Sequence, residues 1–183
     1  MKYLIIILLL LAPVSTSAQT VVDISDAIAW LLRTNPRHPL MRDARARRAM
    51  AKDINQASAE YNQDQLLITG MAFYESTFRP GARGRLGEIG LLQVGPHVRE
   101  ECKSDGWPMS DPLHQLRCGA RHLRRQIDRC GSLAGGLASY ASSRCRALPG
   151  TRVSAAVNIR LWMARKLAKR PWRKNAERKT MVR

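Results

Sequence analysis

A mainly helical domain with one irregular, glycine-rich excursion is the fold this sequence predicts, and three observations carry that prediction. Apolar residues recur at the three-and-four spacing of amphipathic helices along most of the chain. No long alternation of apolar and polar residues marks an extended sheet, and nothing repeats internally. Glycine and proline concentrate between Arg79 and Gly90, where Pro80, Gly81, Gly84, Gly87 and Gly90 call for turns or a small hairpin. A length of 183 residues suits one domain with tails.

The elements follow in chain order. Met1-Lys2-Tyr3, an apolar run from Leu4 to Val14 and the small residues Ser15-Thr16-Ser17-Ala18 have the three parts of a secretory signal peptide. The run is too short to cross a bilayer core, which takes about 20 apolar residues. Cleavage after Ala18 is the expectation, and an uncleaved anchor is the competing one. Val22 to Leu32 reads as a short amphipathic helix with Asp23 or Ser25 as its cap, ending before Asn35-Pro36.

Pro39 to Tyr61 reads as one longer helix with Ala44, Ala49, Met50, Ile54 and Ala57 inside. The interleaved Arg42, Arg45, Arg47, Arg48 and Lys52 read as its solvated face. A third helix runs from Asp64 to Ser76 with Leu67, Ile68, Met71 and Ala72 on its apolar side. After the glycine-rich stretch, helices are expected from His114 to Arg129, Ser132 to Ala141 and Ala155 to Lys169.

The charge is unusual. Thirty-one Lys and Arg face fourteen Asp and Glu, a formal net charge of +17, and such a surface attracts polyanions. Ten of the basic residues lie between Arg160 and Arg183, where Glu177 is the sole acid and Trp162 and Trp172 are interleaved. Two readings of this tail stand: a solvated segment, or one that lies on an anionic surface. Nucleic-acid binding rests on charge alone, lacks a recognition motif and conflicts with export, so it is not expected.

Four cysteines in an exported chain point to two disulfides. Cys102, Cys118, Cys130 and Cys145 form no C-x-x-C pair and the histidines have no close ligand spacing, which argues against a zinc site. The expected pairing is sequential, Cys102 with Cys118 and Cys130 with Cys145, each clipping a local helix–loop–helix unit. Buried free thiols are the alternative.

Glu75 carries the chemistry. It closes an apolar helix, three and four residues after Ala72 and Met71, and so shares their inward face. Burial and the negative end of the helix dipole both favour its protonated form, which suits a general acid. An ordinary exposed glutamate at a helix end is the plain alternative. Its surroundings decide between them. Glu75-Ser76, then Pro80 and Ala82, then Gly87, Ile89, Gly90, Leu91 and Gln93 resemble the soluble lytic transglycosylase (SLT) family of lysozyme-like enzymes. There the helix ends in Glu-Ser and is followed by Asn-Pro-x-Ala and G-A-x-G-L-M-Q. Gly136-Leu137-Ala138-Ser139-Tyr140 is similar to the family's later A-x-x-A-Y-N motif.

The resemblance, over about Gln65 to Ala141, implies a lysozyme-like helical fold with the glycine-rich loop at the cleft. It implies Glu75 as catalytic acid/base, and Ser76, Gln93 and Tyr140 as residues that bind glycan or lie by the carboxylate. The implied organisation is a signal peptide over 1–18, N-terminal helices over 19–62 packing on a catalytic domain at 63–159, and a basic tail over 160–183. The implied partner is the peptidoglycan glycan strand, with anionic envelope polymers or a membrane surface available to the tail. General acid–base chemistry at a sugar needs no metal, so no cofactor is implied.

The chain departs from the family pattern in three places. Ala141 stands where the family has Asn after the tyrosine, Arg79 where it has Asn before Pro80, and Glu88 where it has a small residue. Glu88 reads as a loop residue balancing Arg83 and Arg85, or as a second carboxylate in the cleft. With the latter, the enzyme becomes a lysozyme-type hydrolase, for which Glu100 and Glu101 are weaker candidates. A non-catalytic cationic envelope-binding protein on the same fold is the third reading, motivated by the altered Tyr140-Ala141 site.

Overall fold

The N-terminal helices form where side chains satisfy the free backbone N–H groups at their starts. The computed structural model describes residues 20–147 and, further on, residues 158, 160–162, 164–167 and 169. The expected signal peptide over 1–18 and the far end of the basic tail lie outside these described residues. Helix α1 (Val21–Leu31) begins in a capping box: Thr20 Oγ1 accepts from the Asp23 N–H at 3.1 Å and Asp23 Oδ2 accepts from the Thr20 N–H at 3.0 Å. The cap is therefore Thr20, with Asp23 its reciprocal partner, in place of the expected Asp23 or Ser25.

The single helix expected from Pro39 to Tyr61 is two. Helix α2 (Pro39–Arg42) stops at Asp43, whose backbone is extended. The Asp43 carboxylate then accepts from the Arg45 and Ala46 N–H groups at 2.8 and 2.9 Å and starts α3 (Ala44–Glu60). In α3 Met50, Ala51, Ile54 and Ala57 are buried, while Ala44 and Ala49, expected inside, are exposed. Arg47 leaves the solvated face: it donates to the Leu40 carbonyl at 2.8 Å and to Ser25 at 3.3 Å, tying α3 to α1 and α2.

Helix α4 (Gln65–Ser76) is capped by Asp64, whose Oδ1 accepts from the Leu67 N–H at 2.7 Å. It ends because Thr77 and Phe78 both turn left-handed, with φ of 53° and 54°. That is an unusual conformation for residues with side chains. Burial of Phe78 against Phe73, ring centres 6.0 Å apart, holds it. The stretch from 79 to 95 is all turns, pinned by the isolated antiparallel bridges Arg83–Ile89 and Ile89–Val94. There are no strands among the described residues.

Helix α5 (Pro96–Ser104) is absent from the sequence reading. It is short, largely polar and starts at a proline. Helices α6 (Pro112–Cys130) and α7 (Leu133–Ser142) start at Asp111 and Ser132, where side-chain oxygens accept the first free N–H groups. The main apolar core runs from Ile24 and Ile28 of α1 through Ile54, Ile68, Met71, Leu116 and Leu137 to Leu167, and a smaller cluster of Val94, Cys102 and Cys118 joins α5 to α6.

Both disulfides are present and sequential. Cys102–Cys118 joins α5 to α6 with Cα atoms 5.9 Å apart, and Cys130–Cys145 joins the end of α6 to the segment after α7, Cα atoms 5.2 Å apart. The second bridge closes a 15-residue separation around α7. Replacing both Cys130 and Cys145 by Ser is expected to cost about 3 kcal/mol of unfolding free energy. Urea denaturation reads it directly, and an unchanged midpoint would show that packing alone holds α7 in place.

Candidate active site

A cleft of about 1180 Å³ opens between the end of α4, the turns over 84–95, the start of α5, and the facing sides of α6 and α7. Glu75 sits on the last turn of α4 and lines it, its side chain 14% exposed. The inward face that helical spacing assigns to it is therefore real. Its neighbour Ser76 is buried and does not line the cleft. The Ser76 Oγ lies 2.9 Å from the Ala72 carbonyl oxygen and 3.0 Å from that of Leu91, so it fastens the glycine-rich turns to α4.

Gln93 and Glu88 line the cleft from the loop. Gln93 has a φ of 49°, and its Nε2 donates to the Gly90 carbonyl at 2.9 Å and the Ala82 carbonyl at 3.2 Å. Glu88 Oε2 accepts from the Leu86 N–H at 2.9 Å. Both side chains fold over Gly84, where an added Cβ would lie 2.3 Å from Glu88 Oε2 and 2.9 Å from Gln93 Oε1. A side chain at Gly84 would make Glu88 and Gln93 swing away from this turn. Leu86, at the tip, is 82% exposed beside the cleft.

From the opposite wall, Tyr140 donates its hydroxyl to the Leu92 carbonyl at 2.7 Å and packs its ring 5.1 Å from that of His122. Burial, and then the charge of Glu75, push the Tyr140 phenol well up, so the hydroxyl stays neutral and remains a donor. Gln126, Arg129 and Ser139 form a network behind it: Ser139 Oγ donates to Gln126 Oε1 at 2.6 Å, and Arg129 also donates to that oxygen and to Ser139. Ala141 lines the cleft without a polar group of its own.

Two residues of this region escaped the sequence reading. Gln115 of α6 is buried and ties the loop from beneath: its Oε1 accepts from the Leu91 N–H at 2.9 Å, and its Nε2 donates to the Pro80 and Met109 carbonyls at 3.1 and 2.7 Å. A lone Gln inside a basic amphipathic helix gives no sign of this. Arg160, counted among the tail's charges, is buried and lines the cleft as an ion-pair partner of Glu75. Its one sequence signal is the helical spacing it shares with the buried Leu167 seven residues on.

Burial lowers the affinity of His122 for protons, as it does for His38, both from an ordinary value of 6.5. Below that value the unfolded chain binds protons the folded one resists, so stability falls as pH drops through 6.5 and is level above it. Melting temperatures measured from pH 8 to 5 are expected to show that decline, and His122→Gln to flatten it. An unaltered profile would assign the decline elsewhere.

Fold and cleft together define a lysozyme-like helical domain. Residues 52–152, more than half the chain, match the family model described as Transglycosylase SLT domain, and the chain belongs to that family. A protein of Enterobacteria phage PRD1 named Transglycosylase is 35% identical over 88 residues, 48% of this chain and 32% of the relative. The match thus spans about a third of the relative's length. Among the described residues, no helix is long and apolar enough to cross a membrane.

Proposed function

We propose that this protein is an exported lytic transglycosylase that cleaves the β-1,4 bond between N-acetylmuramic acid and N-acetylglucosamine in peptidoglycan. The supporting observation is one enclosed carboxylate, Glu75, on the floor of an open cleft in a chain of the SLT family. Glu75 protonates the departing glycosidic oxygen. As the carboxylate it then takes the proton of the C6 hydroxyl, whose oxygen closes on the anomeric carbon to leave 1,6-anhydromuramic acid. Because the nucleophile is intramolecular, one carboxyl group suffices, whereas ordinary glycosidases use a pair. Tyr140, neutral and fixed, keeps the carboxylate's neighbourhood in place, and Ser76 and Gln93 hold the turns that shape the glycan's seat.

Glu88 favours a second reading because it lines the same cleft. If it activates a water, the enzyme is a hydrolase. Mass spectrometry of the products decides: transglycosylase fragments are one water lighter than hydrolase fragments. A wild type that releases no fragments sinks both readings and leaves a non-catalytic envelope-binding protein.

Residues 170–183 serve retention at an anionic wall or membrane surface outside the cytoplasm, by their charge. Truncation after Lys169 is expected to weaken wall binding at low salt with cleavage of soluble fragments unchanged. Equal retention of the shortened protein would count against this division of labour.

A further inference from the structure

Arg160 is 3% exposed, yet its Nη2 donates to Glu75 Oε1 across 85 residues of sequence. Its Cζ also sits 4.9 Å from the centre of the ring of Tyr74, the residue before Glu75. Among the described residues, the N–H groups on Nε and Nη1 have no hydrogen-bond partner, and both are buried. A guanidinium carries five donors in a fixed fork and does not shed its charge, and buried donors left unpaired are costly. Here they sit in a residue that lines an open cleft. An oxygen supplied by a ligand would complete that seat.

The position also bears on the chemistry. Glu88 and Arg85 from the loop, His97 from α5, His122 and Arg129 from α6 and Tyr140 from α7 also line the cleft. Among the described residues, Arg160 is the group ion-paired with Glu75. Oε1 of Glu75 is thus occupied by Arg160, whereas glycan cleavage needs the carboxyl group free.

We propose that Arg160 is a latch on Glu75 that the glycan releases. A carbonyl or carboxylate oxygen on the sugar's acyl substituents takes over the guanidinium through Nε and Nη1. Glu75, relieved of its cation, is then free to serve the glycosidic oxygen. Arg160 is in this sense a positioning residue for Glu75 and a reader of acylated aminosugars. The inference rests on the transglycosylase reading of the cleft.

Two measurements test it without relying on turnover. In the first, Glu75 is coupled to an amine by a water-soluble carbodiimide and quantified by peptide mass spectrometry, with exposed Glu100 as internal reference. Glu75 is expected to react about tenfold faster in Arg160→Met than in wild type. Arg160→Lys, which keeps the charge and loses the fork, should fall between them. In the second, titration calorimetry compares chito-oligosaccharides with muropeptide glycan fragments at low temperature. Arg160→Met is expected to weaken binding about tenfold. Loss for both ligands assigns the contact to the acetamido oxygen, and loss for muropeptides alone assigns it to the lactyl or peptide carboxylate.

Equal Glu75 labelling in folded wild type and variant, or unchanged affinity for both glycans, overturns the latch. If Arg160→Met does not fold, Arg160→Lys carries both comparisons. A wild type that labels and binds as expected but cleaves nothing would sink the transglycosylase reading while leaving the ion pair and its ligand contact in place.

Discussion

Glu75→Gln is expected to lower glycan turnover by at least about 10³-fold. General acid–base catalysis contributes roughly 10²–10⁴-fold, and the proposed mechanism uses the same carboxyl group for both proton transfers. Gln can accept a hydrogen bond but can neither deliver a proton at the leaving oxygen nor remove one from the C6 hydroxyl. Its carbonyl still offers Arg160 an acceptor, so the fold survives with a loss of about 1–3 kcal/mol from the broken charge pair. Fragment release from purified peptidoglycan measures the first effect and denaturant unfolding the second. A folded Glu75→Gln protein that retains a tenth of wild-type turnover would remove Glu75 from the proposed role. Glu88→Gln is the companion measurement: under the transglycosylase reading it leaves the anhydro product in place, and under the hydrolase reading it abolishes turnover.

Gly136→Ala is expected to damage both stability and activity although it adds one methyl group. A Cβ at Gly136 would lie 2.4 Å from Ile127 Cγ1 and 2.8 Å from the Ile127 Cα. The second of those is backbone of α6 and cannot swing aside, so α7 must move off α6. Overpacking of this kind costs about 1–3 kcal/mol. One turn further along α7 is Tyr140, whose hydroxyl donates to the Leu92 carbonyl at 2.7 Å. Displacing the helix pulls that bond apart and opens the wall facing Glu75. Turnover should therefore fall about tenfold or more at temperatures where the variant is fully folded. Wild-type turnover in Gly136→Ala would mean that the position of Tyr140 does not matter to the reaction.

Much of the fold was legible because its signals are local. Apolar spacing located α4, α6 and α7 to within a few residues, and glycine and proline marked the turns after α4. Cysteine spacing and the expectation of export led to the pairing that the structure has. The failures are also local in origin. Asp43 broke a helix because its carboxylate serves two N–H groups better as a cap than it would inside a turn. Helix α5 was missed because Cys102 is its one fully buried residue, too few for a periodic pattern.

The site divides along the same line. Glu75 with its inward face, Gln93 and Glu88 on the loop, and Tyr140 on a later helix were all readable, because motif and helical spacing are properties of neighbouring residues. Ser76 was expected to bind glycan but is buried outside the cleft lining, and its use in fastening Leu91 was not readable, since that bond spans 15 residues. Arg160 was the hardest. By sequence it opens a run of basic residues and counts toward the charge of a tail. In the fold, the burial of Leu167 in the common core brings its helical segment against α4, and the ion pair with Glu75 follows. By itself, then, the sequence determined a helical lysozyme-like domain, its disulfides and the carboxylate at its centre. What that carboxylate is paired with was decided by tertiary structure alone, because an ion pair depends on distance in space and leaves no period, cap or motif along the chain.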